Sequence, residues 1–169
     1  QKEDLIAHGR TVYIALAPVD PRSLMQGDYM ALNYQLGDTL RDQLDDADRL
    51  TQPVALARLD VRGVATLEQL VDTATDAPPS ADVLQIRLTP QKGRWVVVSD
   101  AWFFREGDGE RWQAARYGEF RVQPDGRALL VGLVDAELRP IRPQPLNPAA
   151  TAPPLPAASP APAPPASGG

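Results

Sequence analysis

The sequence predicts a mainly β fold, α+β at the margin: an antiparallel, hairpin-built sandwich or half-open barrel carrying two short helices. Three observations lead there. Apolar and polar residues alternate in a series of short segments, the period of a half-buried strand. Turn signals rich in Gly, Pro and Asp separate neighbouring segments at hairpin spacing. Only two stretches show helical periodicity or a capping pattern.

In chain order, residues 11–17 (TVYIALA) place Val12, Ile14 and Leu16 on one strand face. Residues 29–36 (YMALNYQL) predict one strand, with Met30, Leu32, Tyr34 and Leu36 together and Tyr29 opposite. Residues 39–50 predict a helix, with Thr39 as N-cap, Asp42 three positions on, and Leu40, Leu44 and Ala47 as the apolar stripe. Residues 53–59 and 65–72 flank a turn at 60–63, and residues 83–88 and 94–98 flank TPQKG, whose Gly93 can supply a positive φ. Residues 110–116 predict the second helix. Residues 121–122 and 128–133 flank QPDGR, where Pro124, Asp125 and Gly126 form the strongest turn signal in the chain.

Composition divides the 169 residues unevenly. Residues 143–169 hold ten of the 18 prolines, eight alanines and no charge. They cannot bury enough apolar area to offset ordering, so a disordered tail with polyproline character is expected, serving as a spacer or inert extension. Residues 11–142 then form a single domain, with residues 1–10 as a segment leading into it. Absence of cysteine removes disulfides, thiolate nucleophiles and thiolate metal sites. A single histidine, His8, excludes a His-based triad or multi-His metal centre within one chain. Net charge −5 and pI near 4.8 argue against binding a phosphate backbone, so no nucleic-acid partner is expected. No cofactor or metal is expected. The start at Gln1, without Met, suggests a removed N-terminal segment.

Four patterns could carry chemistry. Asp42, Asp45, Asp46 and Asp48 lack the turn glycine and alternating spacing of a Ca²⁺ loop, and read as a solvated helix face. Ser23 followed by Gly27-Asp28 resembles a Ser/Lys protease stretch. The only interior lysine, however, is Lys92, in an expected turn where nothing would lower its pKa. Asp20, Asp28, Asp100, Glu106 and Glu119 could pair as glycosidase carboxylates, but 22 acidic residues make such a set expected by chance. Trp95, Trp102, Phe103, Phe104 and Trp112 crowd one region. Trp95 and Phe103 are expected in the core, and Trp102 or Trp112 could offer a stacking platform for a glycan or peptide. Phe103 and Phe104 must point to opposite faces of a strand, so one lies outside the main core.

The segment from residue 18 to 34 is the densest. Pro21 and Gly27 set a loop, Arg22 can donate a bidentate fork, and Asp28 can accept backbone N–H bonds. A buried Tyr34 hydroxyl would need a partner, for which Asp28 or Arg22 is expected.

Residues 27–34 (GDYMALNY) fit the pattern GDYxxLxY at every fixed position: Gly27, Asp28, Tyr29, Leu32 and Tyr34. Residues 101–107 (AWFFREG), including Trp102, Glu106 and Gly107, and residues 115–119 (ARYGE), including Arg116 and Tyr117, resemble further blocks of the same family. The final hairpin is similar too, so the resemblance covers residues 3–141. The GDYxxLxY family comprises membrane-anchored bacterial proteins with no catalytic residue to transfer. The resemblance implies an N-terminal transmembrane helix and an extracytoplasmic, periplasmic-side location on the inner membrane. It also implies a multi-pass membrane protein as partner. The expectation is a non-enzymatic docking domain, with Arg22, Asp28 and Glu106 supplying polar specificity and Trp102 an aromatic anchor. The alternatives are an envelope glycan- or peptide-binding module and, behind it, a Ser/Lys or carboxylate hydrolase.

Overall fold

The chain curls a seven-stranded sheet into a half-barrel and sets a three-stranded sheet against it. The computed structural model describes residues 9–17, 20–74, 80–91 and 93–143. Lys92 and residues 144–169 of the expected tail lie outside the described residues. The strands are β1 (Arg10–Ala15), β2 (Met25–Gln26), β3 (Tyr29–Ala31), β4 (Val54–Leu59), β5 (Val64–Val71), β6 (Val83–Gln91), β7 (Arg94–Val97), β8 (Ala101–Phe103), β9 (Tyr117–Val122) and β10 (Ala128–Val134). The large sheet runs β10-β9-β1-β5-β4-β6-β7 and the small one β2-β3-β8.

The expected hairpins form because their turns carry the required residues. Gly63, Gly93 and Gly126 all take positive φ in the β4–β5, β6–β7 and β9–β10 turns. Asp60 and Asp125 reinforce two of these turns by accepting backbone N–H bonds from Arg62 and Arg127 respectively. Of the two predicted architectures the half-barrel is the one adopted. One pairing departs from an all-antiparallel sheet, because β1 lies parallel to β5 while pairing antiparallel with β9.

The half-barrel folds around Val12, Ile14, Ala55, Ala57, Leu67, Ile86 and Phe120, all fully buried. Its circumference is drawn together by a turn. The β9–β10 turn reaches β6, where Arg87 donates its backbone N–H to the Gly126 carbonyl at 2.8 Å. The amide of Gln85, 1% exposed, donates to the Pro124 carbonyl at 2.9 Å. At its other end β10 is followed by a short return. Ile141 donates to the Leu133 carbonyl at 3.0 Å, and Pro143, two residues on, has no N–H.

The helices differ from expectation. Residues 39–50 split into α2 (Asp38–Leu44) and a 3-10 turn (Ala47–Arg49). Four aspartates crowd the C-terminal half, where the helix dipole disfavours anions, so the α-helix stops before Asp45. Its N-cap is Gly37, not Thr39. A Cβ there would come within 2.9 Å of the Leu67 carbonyl oxygen, so only glycine allows this approach to β5. Leu40 and Ala47 are buried as the stripe requires. The second helix shortens to α3 (Gly109–Trp112), and Pro21–Leu24 forms an additional single turn, α1, capped by Asp20. No helix among the described residues is long and apolar enough to cross a membrane.

Candidate functional site

The first two family-like blocks meet on the small sheet, and the positions Gly27, Leu32 and Tyr34 of GDYMALNY acquire a mechanical reason. Gln26 pairs with Tyr29 across a two-residue turn. Of its two central residues only Gly27 has positive φ, +64°, the pattern of a type II′ hairpin turn. Nothing lies within 4 Å of a Cβ built at Gly27, so the backbone conformation alone calls for glycine. The Asp28 carbonyl accepts the Phe104 N–H at 2.9 Å, and the Leu32 N–H donates to the Asp100 carbonyl at 2.8 Å. These two bonds extend the β3–β8 pairing at both ends of a strand only three residues long.

The predicted strand over residues 29–36 is interrupted accordingly. β3 ends at Ala31, and Tyr34 and Leu36 make single bridges to Leu16 and Leu67. Met30 and Leu32 face a second cluster with Trp112, Ala115 and Leu133, whereas Tyr34 reaches between the two cores. Its ring lies 5.7 Å from that of Phe120. Its hydroxyl donates to the Ser99 carbonyl at 3.1 Å, not to Asp28 or Arg22 as expected. Burial, with Asp100 nearby, pushes the Tyr34 phenol well above the ordinary tyrosine range. A Cβ at Gly118 would meet Phe120 at 2.9 Å, Leu130 at 3.2 Å and Tyr34 at 3.3 Å. The glycine of the third block therefore makes room for the last tyrosine of the first.

The second block inverts the expected aromatic roles. Because Trp102 pairs with Met30, it faces inward, and Phe103 faces out. Trp102 packs on Trp112 with ring centroids 5.4 Å apart, Trp112 being 3% exposed. Both indole N–H groups are buried with no partner among the described residues. Neither indole is thus the outward platform or anchor that the sequence suggested. Phe103, expected in the core, is 71% exposed and stacks on Tyr29 at 5.6 Å. Phe104 turns inward, as strand alternation requires. The Tyr29 hydroxyl donates to Gln26 Oε1 at 2.8 Å, so the exposed pair is held from both sides.

Arg22, Asp28 and Glu106, on the segments that flank these strands in the chain, are exposed. Among the described residues the Arg22 and Asp28 side chains bond to no neighbour. The Asx-type role foreseen for Asp28 falls to Asp20, whose carboxylate accepts the Arg22 N–H at 3.0 Å and caps α1, with Pro21 as its first residue. Gly107, φ +93°, turns the chain away after Glu106. Arg116 and Tyr117 lie elsewhere. Arg116 donates to the carbonyls of Gln113 and Ala115 at 3.0 and 2.8 Å, and with Tyr117, Leu24 and Met30 it lines a depression of about 330 Å³.

Of the residues considered for catalysis, Lys92 lies outside the described residues, and three others have these partners. The Ser23 hydroxyl donates to the Asp20 carbonyl at 2.7 Å. Glu119 is paired with Arg121 at 2.8 Å and Asp100 with Arg94 at 3.2 Å, on different sheets or their connections. No group of three potential metal ligands occurs among the described residues.

A second depression, of about 170 Å³, opens at the mouth of the half-barrel. Leu32, Leu36, Leu40, Leu44, Leu88 and Trp95 form its walls, with Arg94 and Asp100 among its polar lining. The segment beside it is strained. Ser99 donates its N–H back to the Val97 carbonyl, closing a three-residue turn with Val98 at φ +53°, a conformation that costs a β-branched residue about 1–3 kcal/mol. That turn delivers both the carbonyl that holds Tyr34 and the Asp100 carbonyl that holds Leu32.

Sequence reasoning overlooked Phe103 as the exposed ring, Ser99 as the partner of Tyr34, and Gly118 as the relief for both aromatic cores. The phase of residues 101–104 would have followed from pairing Met30 with Trp102, a long-range register that the local pattern does not contain.

Among known proteins, the family model described as GDYXXLXY protein matches residues 1–133. No curated protein and no solved structure matches the chain.

Proposed function

We propose, from the premise that this chain belongs to the GDYXXLXY family, that it is a non-enzymatic docking domain. It is the extracytoplasmic part of a membrane-anchored protein and engages an integral membrane partner through the outer face of the β2-β3-β8 sheet. The observation that carries this reading is the Tyr29–Phe103 pair. The other fixed positions of the signature are occupied in turning, pairing or packing the chain, whereas Phe103 presents most of its ring to solvent. An exposed aromatic packed on a second ring, with Arg22, Asp28 and Glu106 exposed on the flanking segments of the chain, has the make-up of an interface centre with a polar margin.

The test is photo-crosslinking from positions 22 and 103 of the full-length protein in native membranes, read by mass spectrometry. A single dominant membrane-protein adduct at position 103 is expected. Phe103→Ala should then abolish co-purification of that partner while changing stability by no more than about 0.5 kcal/mol. Absence of a protein adduct at both positions would refute docking through this face.

A further inference from the structure

We infer that the depression at the mouth of the half-barrel is a binding site for a compact apolar group bearing a neutral amide. Its chemistry differs from that of the outer sheet face. The walls are leucines and one indole contributed by four separate parts of the chain: residues 32–36, α2, β6 and β7. A volume of about 170 Å³ suits one aromatic ring or one branched aliphatic group, comparable to cavities of about 150 Å³ that bind benzene.

The polar lining specifies the head group. Arg94 Nη2 lies 3.2 Å from Asp100 Oδ2, so a cationic donor and an anionic acceptor sit side by side with no net charge. Asp100 Oδ1 accepts no hydrogen bond among the described residues, and the guanidinium retains further N–H groups. An amide matches both at once, its carbonyl accepting from Arg94 and its N–H donating to Asp100. A carboxylate would meet Asp100 as a like charge, and an ammonium would meet Arg94 as one. The strained turn at Val98 holds Asp100 in this position, and backbone strain of this kind is concentrated at ligand sites. The amide chemistry is shared by a free small molecule and by an apolar residue within an extended peptide.

The experiment uses the full chain and follows the three indole N–H signals by NMR during titration with benzamide, benzoate, benzene and an N-acetylated, C-amidated leucine. Trp95 lines the site, while Trp102 and Trp112 pack together in the second core and serve as internal references. Saturable movement of the Trp95 signal alone, with benzamide stronger than benzoate, is the expected result. Arg94→Ala should weaken benzamide about tenfold and leave benzene unchanged, the loss of one charge-assisted hydrogen bond. Leu44→Trp should fill the site and remove binding of all four probes. Tighter binding of the capped leucine than of benzamide identifies a peptide as the source, and the reverse a free amide. The inference is overturned if the Trp95 signal does not saturate, if benzoate equals benzamide, or if Leu44→Trp binds undiminished. Should Leu44→Trp not fold, Arg94→Ala, at an exposed position, decides the matter alone.

Discussion

The half-barrel and the small sheet are held by different means. In the half-barrel, strands of four to nine residues pair in long registers around an aliphatic core. The β2-β3-β8 sheet has strands of two or three residues. Alone it would be too short to persist. It is secured by individual bonds from loops and side chains: Phe104 to Asp28, Leu32 to Asp100, Tyr34 to Ser99. The contrast explains why the GDYxxLxY residues concentrate on the smaller element. A sheet that cannot rely on length needs particular residues at particular positions, and those positions are then recognisable as a signature.

Substitutions in the two regions should separate them. Phe120→Ala removes the ring that touches both the main core and Tyr34, and should cost roughly 3–5 kcal/mol in a single global transition measured by denaturant unfolding. Met30→Ala should cost toward the lower end of roughly 2–5 kcal/mol. Hydrogen exchange should then show protection lost at β3 and β8 but retained at Ile14, Leu67 and Ile86. Equal loss in both sheets would show that they unfold as one unit and dissolve the contrast.

The smallest effect expected is pH-dependent and lies on the link between the regions. Tyr34 has a raised folded-state pKa, so its contribution is complete below the unfolded value of about 10 and declines as pH rises above it. The decline approaches about 1.4 kcal/mol per pH unit for one group. Tyr34→Phe should flatten that limb of the stability–pH curve, and an unchanged slope would show that the phenol is not confined as described.

The hairpins were legible because each rests on local chemistry: a glycine where φ must be positive and, in two of the three, an aspartate that ties its own turn. Helix ends were less so. The sequence marks Thr39 as a cap, yet Gly37 takes that place because of its contact with Leu67, thirty residues away. The same holds at the site. Gly27, Asp28, Tyr29, Leu32 and Tyr34 could be singled out from their pattern, but the exchange of roles between Trp102 and Phe103 depends on the pairing partner of β8. The parallel contact of β1 with β5 is likewise a tertiary outcome that alternation alone does not encode.

Pro143 carries a consequence for the outer border of the large sheet. Two residues beyond Ile141, the last of the return seen to donate to β10, Pro143 has no hydrogen to give. The amide hydrogen that position 143 would otherwise carry is thus withheld beside the leucine and valine run of β10.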